Sequence, residues 1–214
     1  MKKVILLALM MPYLASAQVI DNSGKNQYNP AAGDVIISEI MADPLPEVSL
    51  PGKEYIELFN RCDNPVNLKG WRLLSGESIV LLPDVVIAPS GYLVICHEDN
   101  APLFSIYGNT AGVSKFPVLT DGGKLLCLQD GSGRLIHGVE YSSLWYGDAM
   151  KADGGWSLEI IDPRFPFFAE GNWKASSSKK GGTPGSANSV SGTNPDNFFH
   201  GIANVFPQQA DAIV

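Results

Sequence analysis

From Asp34 onward the chain alternates short β-type runs with turn chemistry. Val35–Met41 is rich in β-branched residues and stops at Asp43-Pro44. Residues 54–59 follow a Pro51-Gly52 turn, and 71–74 follow Lys69-Gly70. Residues 78–82 and 84–87 flank Pro83, and Ala88-Pro89-Ser90-Gly91 turns the chain into 92–96. Residues 124–129 and 134–141 are joined by Asp130-Gly131-Ser132-Gly133, a strong hairpin signal. The last clear strand is 156–161, closed by Asp162-Pro163. No helical period runs through the region, and only 101–107 suits a short helical turn. Strands at this spacing predict an all-β sandwich or barrel. Past Trp173 the strand character fades, and 176–185 reads as a surface loop; its Lys and Gly residues lack the P-loop pattern.

The ends have a different texture. Lys2 and Lys3 precede an apolar stretch over 4–14, and Ala15-Ser16-Ala17 supplies small residues before Gln18. This is the pattern of a signal peptide over 1–17, too short to span a bilayer at about 20 residues. An exported chain that is periplasmic, extracellular or held at the cell surface follows, with no transmembrane segment. Residues 18–33, polar and broken by Gly and Pro, suit a flexible lead-in. Residues 34–190 form one domain. Residues 191–214 read as a linker or the start of a truncated following domain, so that the chain is expected to be part of a larger multidomain protein.

Charge narrows the partners. Taking Lys2 and Lys3 from the 15 basic residues leaves 13 against 22 acidic ones, a net charge of −9 for the exported chain. Acidic, scattered charge disfavours direct nucleic-acid contact, which needs clustered Lys and Arg. The three cysteines, Cys62, Cys96 and Cys127, have no zinc-ligand spacing. Cys96 and Cys127 sit in apolar runs, and two readings stand: buried thiols, or a bridge between neighbouring strands in an oxidising compartment.

The order of several motifs carries a family likeness. Ile37-Ser-Glu-Ile-Met-Ala-Asp-Pro44, Glu54-Tyr-Ile-Glu-Leu-Phe-Asn60, Leu68-Lys-Gly-Trp71, Leu82-Pro83 and Pro89-Ser-Gly-Tyr92 together resemble the lamin-tail domain. The block 155–163, Asn172-Trp173 and 181–188 is similar to the distal end of its bacterial secreted members. The resemblance spans 34–190 and implies an immunoglobulin-like β-sandwich. It also implies a role in attachment or binding, with an unidentified protein or polysaccharide as partner. The family's motifs include no catalytic residues, so none is carried over. The loops at 43–53 and 98–123 exceed what a minimal sandwich needs and are where a ligand preference could lie.

Candidate chemistry is sparse. Glu39, Asp43, Glu54 and Glu57 form the one acidic constellation, and strand alternation puts Glu39 on a face with Val35, Ile37 and Met41. Such carboxylates could ligate calcium, work as an acid–base pair, accept backbone N–H bonds, or simply lie exposed on a solvent face, the last two being favoured. Glu54 and Glu57 fall on opposite faces, so all four do not converge if Glu54 is in the strand. His97, His137 and His200 lie apart, and Ser157 misses the nucleophile-elbow pattern. Trp71, Trp145, Trp156 and Trp173 read chiefly as core and lid. Adjacent Trp145 and Tyr146 could stack on a sugar. The expectation is a non-enzymatic binding module without cofactor, with Trp145, Tyr146, Glu39, Asp43 and Glu57 as ligand-facing candidates. The alternatives are a small hydrolase using the acidic cluster, or a carbohydrate-binding module.

Overall fold

The β-type runs pair into two main sheets that share one core. A computed structural model describes residues 19–20, 26–167 and 169–193; the expected signal peptide, His200 and nearly all of 191–214 lie outside the described residues. The strands are β1 (Val19–Ile20), β2 (Asn26–Gln27), β3 (Val35–Met41), β4 (Tyr55–Asn60), β5 (Val66–Asn67), β6 (Arg72–Ser75) and β7 (Ser78–Leu81). They continue as β8 (Val86–Ile87), β9 (Tyr92–His97), β10 (Thr110–Val113), β11 (Gly123–Gln129), β12 (Leu135–Ser142), β13 (Leu158–Ile160) and β14 (Trp173–Ala175). One sheet has the order β10-β9-β4-β3-β13-β14 and the other β12-β11-β6-β7, with two-stranded pairs β1-β2 and β5-β8. This is an immunoglobulin-like all-β sandwich. Ile40, Ile56, Leu58 and Leu93 from the first sheet and Leu73, Val80, Leu126, Leu128 and Val139 from the second are buried together between the layers.

The six-stranded sheet has a second covered face. Met41, Leu50, Tyr55, Val94, Cys96 and Phe104 form a separate buried cluster there. Phe104 comes from α1 (Ala101–Phe104), the short helical turn expected over 101–107. Pro102 at its start, where an N–H has no helical partner to lose, suits that turn. The third layer is built by loops and by residues 176–190 rather than by a sheet.

Four expectations need correcting. First, the alternation in β3 is broken by a β-bulge between Ile37 and Glu39. The extra residue reverses the facing. Ile37 therefore opposes the core residue Leu58, while Glu39 opposes Glu57 and Met41 opposes Tyr55 on the far side. Second, the strand character does not end at Trp173: β14 adds to β13 with Ile160 opposite Trp173. Third, β10 was not legible in Thr-Ala-Gly-Val; it gains its order by pairing parallel to β9. Fourth, the lead-in is tied down over 28–30. The Tyr28 hydroxyl donates to Asp34 at 2.5 Å, and Arg134 donates to Asn29 and the Pro30 carbonyl.

The cysteines separate on geometry. Cys96 belongs to the outer cluster of the six-stranded sheet. Cys127 alternates with the core residues Leu126 and Leu128, so it faces outward from the other sheet. The whole sandwich lies between them, and all three cysteines are free thiols.

Candidate functional site

The bulge in β3 creates the most unusual polar feature of the molecule. Glu39 opposes Glu57 on β4 and Glu159 on β13, so three glutamates stand in a row across three adjacent strands. All three are fully buried. Neighbouring strands lie roughly 4.8 Å apart, and like charges directly opposite destabilise a sheet. Among the described residues, no Lys, Arg or His pairs with any of them. Hydroxyls and backbone amides satisfy the row instead.

Glu39 Oε1 accepts from the Tyr55 hydroxyl at 2.6 Å, the Ser157 hydroxyl at 2.6 Å and the Thr183 N–H at 2.8 Å. Glu57 accepts from the Ser38 hydroxyl at 2.8 Å and the Gly185 N–H at 2.6 Å. Glu159 accepts from the hydroxyls of Thr183 and Ser189 and from the Val190 N–H. Burial and the neighbouring Glu159 push the Glu39 carboxyl up to about 7. Burial, then Glu39, pushes Glu57 well above the usual carboxylate range. Glu39 and Glu57 are thus not ligand-facing: the segment 176–190, whose first part, 176–185, is expected as a surface loop, is laid over them.

Gly182 makes that approach possible. A Cβ there would meet the Tyr55 hydroxyl at 2.6 Å and Glu39 Oε1 at 2.7 Å. The Gly181-Gly182-Thr183-Pro184-Gly185 string is thus a docking sequence, not a phosphate cradle. Glu159, the third member of the row, escaped the sequence reading. Its alternation with Leu158 and Ile160 in an apolar strand was the available signal.

The other two expected acids lie elsewhere. Glu54 precedes β4 and, with Lys53, His97, Asn100, Phe116 and Asp121, lines an open cleft of about 330 Å³. Partial burial raises the Glu54 and Asp43 carboxyls, and each also feels the charge of Asp121. The constellation therefore splits into Glu39 and Glu57 on one side and Asp43 and Glu54 on the other. Among the described residues, no group of three or more His, Cys, Asp or Glu side chains is arranged to hold a metal ion.

The aromatic candidates turn inward. Tyr146 is buried and its hydroxyl donates to the Trp156 carbonyl at 3.0 Å, which corrects its expected ligand-facing role. Trp145 is half-buried and stacks on Trp173 with ring centroids 6.1 Å apart. It is Leu144 beside them that projects, 86% exposed. His137 is fully buried: Nδ1 accepts the Ile37 N–H and Nε2 lies 2.8 Å from the Pro166 carbonyl, so Nε2 carries the proton. Burial pushes its pKa down to about 4. Ser157 is buried with its hydroxyl committed to Glu39, and no histidine among the described residues joins that pair.

Besides the cleft at Glu54, an apolar surface remains accessible. The register Ile79–Leu74–Cys127–Gly138 runs across the four-stranded sheet on the side opposite the core. On this face Ile79 and Leu81 are 60% and 66% exposed, beside half-buried Leu74. β7, which carries the two exposed residues, is hydrogen-bonded only to β6 among the described residues. Edge strands of this kind present unpaired backbone groups to a partner.

A family model described as Lamin Tail Domain matches residues 29–143, just over half of the chain. The match takes in β3 to β12. It stops at Ser143, before β13, β14 and the segment that covers the glutamates. No curated protein matches the chain.

Proposed function

The chain belongs to the lamin tail domain family, and on that footing we propose that it is a non-enzymatic binding or attachment module of the bacterial secreted type. Its N-terminal 17 residues direct export, and the domain works outside the cytoplasm or at the cell surface. Its partner is a protein or a polysaccharide.

The observation that carries this reading is the open apolar face of the four-stranded sheet, with Ile79 and Leu81 on an edge strand. Exposed apolar residues next to unpaired backbone groups suit strand addition or flat contact with a partner. The hydrolase alternative loses support because Glu39, Glu57, Ser157 and His137 are all buried and hydrogen-bonded within the fold. The carbohydrate alternative loses its platform, since Tyr146 is buried and Trp145 stacks on Trp173. The acidic net charge of −7 for the whole chain agrees with little direct contact to nucleic acid.

Co-sedimentation with cell-envelope fragments and with insoluble polysaccharides tests the reading, using wild type and the pair Ile79→Asp with Leu81→Asp. Wild type is expected in the pellet with one of these materials and the double variant in the supernatant. Equal sedimentation of both, or of neither, overturns the assignment of this face.

A further inference from the structure

The three buried glutamates raise a question that the family assignment does not touch: what keeps a row of acids closed under a loop with no cation beside it. We propose that residues 181–190 form a proton-retained strap, docked over Glu39, Glu57 and Glu159 while Glu39 holds its proton and released as Glu39 ionises.

The hydrogen count supports this independently of any titration value. Three donors converge on Glu39 Oε1, leaving Oε2 with one neighbour, the Thr183 hydroxyl at 3.4 Å. That hydroxyl also lies 2.9 Å from Glu159 Oε1. A threonine hydroxyl has one hydrogen, so it cannot donate to both carboxylates. It goes to the nearer Glu159, and Oε2 of Glu39 then meets an oxygen lone pair. A proton on Oε2 completes the chain: Glu39 donates to Thr183, and Thr183 donates to Glu159. Without that proton, two oxygens face each other across a dry contact and the row carries adjacent buried charges. Removing the strap restores water to the row and relieves both.

The strap is held at several points along the row. Thr183 and Gly185 direct their backbone N–H groups to Glu39 and Glu57, and Val190 to Glu159. Gly182 lies close enough to Glu39 that no side chain fits. Loss of the Glu39 proton therefore acts on the strap that carries Thr183, Gly185 and Val190.

The surroundings offer limited compensation. Tyr55 on β4 contributes one of the hydroxyls, and Tyr92 on β9 feels the charge of Glu57. Cys96 on β9 lies in the apolar cluster beneath, and Tyr107 beyond α1 packs against that cluster. Lys174 on β14 is paired opposite Glu159 but is solvent-exposed. On the strap side, Lys179 is exposed, Lys180 sits over the Tyr107 ring, and Lys151 bonds the Ser176 carbonyl. None of these lysines reaches a glutamate.

The direction follows from linkage. Glu39 is raised from 4.5 to about 7 in the docked state, so docking takes up a proton. Its contribution favours the docked strap at low pH and is lost as pH rises through about 7.

Amide exchange by NMR on the full chain at pH 5 and pH 8, corrected for intrinsic rates, reads this at Thr183, Gly185 and Val190. Protection of these three amides is expected to fall about tenfold or more, one pH unit of linkage, while amides of β11 and β12 stay level. Glu39→Gln supplies a permanent N–H toward Thr183 and is expected to hold strap protection constant between the two pH values. Constant protection in wild type overturns the proposal, and so does an equal fall in Glu39→Gln. Should Glu39→Gln not fold, Thr183→Val replaces it: it removes the relay hydroxyl but keeps the N–H, and is expected to halve or abolish the pH response. An unchanged response there counts against the relay.

Discussion

At the residue scale, the side chains that looked most chemical are the ones most committed to the fold. His137 joins three elements by bridging the β3 backbone and the Pro166 carbonyl from β12. Burial depresses its pKa from 6.5 to about 4, so the unfolded chain binds this proton more readily than the folded one. The stability this neutral imidazole provides is present above about pH 6.5 and is lost as pH falls toward about 4. Denaturant titrations between pH 7 and 4 are expected to show that loss in wild type and a shallower one in His137→Gln. The two tryptophans are expected to differ in the same way that their burial differs. Trp71 is 4% exposed within the main core, and Trp71→Ala is expected to cost about 3–5 kcal/mol. Trp156 is half-buried under Lys151, so that Trp156→Ala costs clearly less. Thermal melts of both variants check the order; equal losses would mean that the burial assignment fails.

At the element scale, β5 and β10 aside, the strands from β3 to β13 were legible because their apolar residues are bounded by Gly, Pro, Asn and Asp. Three things were not. The bulge at Ile37 to Glu39 leaves no mark in composition, yet it decides that Glu39 faces Glu57 instead of the core. β14 is only three residues long and depends on pairing with β13. The strap 181–190 reads as polar and irregular because its order comes from Glu39, Glu57 and Glu159, more than a hundred positions away for the first two. The strap's role can be measured by truncation. The melting temperature of a chain ended after Thr193, which keeps every strap bond to the row, is the reference. Ending the chain after Ala175 removes every strap bond to the row and is expected to lower that temperature by roughly 5–10 °C, a few kcal/mol for a domain of this size. Gly182→Ala is expected to act in the same direction, since its Cβ would fall within 3 Å of Tyr55, Glu39 and Leu50. A Gly182→Ala chain that melts with wild type would mean that the strap does not approach this closely.

At the scale of the whole molecule, one sheet is covered on both faces and the other on one. The six-stranded sheet has the main core on one side and the glutamate row, α1 and the strap on the other. The four-stranded sheet leaves Ile79 and Leu81 in solvent on its open face. The family likeness was legible as a sequence of motifs, and the family model covers the part that builds most of the sandwich. The candidate site was read only in part: Glu39 and Glu57 do come together, but they are joined by Glu159 and closed off, while Asp43 and Glu54 stand at a separate cleft. The acids that suggest a catalytic or metal centre in the sequence act as the clasp of a structural layer. A ¹³C titration of the glutamate carboxyls, with and without calcium, tests this most directly. Glu39 is expected to titrate near 7 and the row to ignore calcium; an ordinary value for Glu39, or shifts of the row on adding calcium, would contradict this reading.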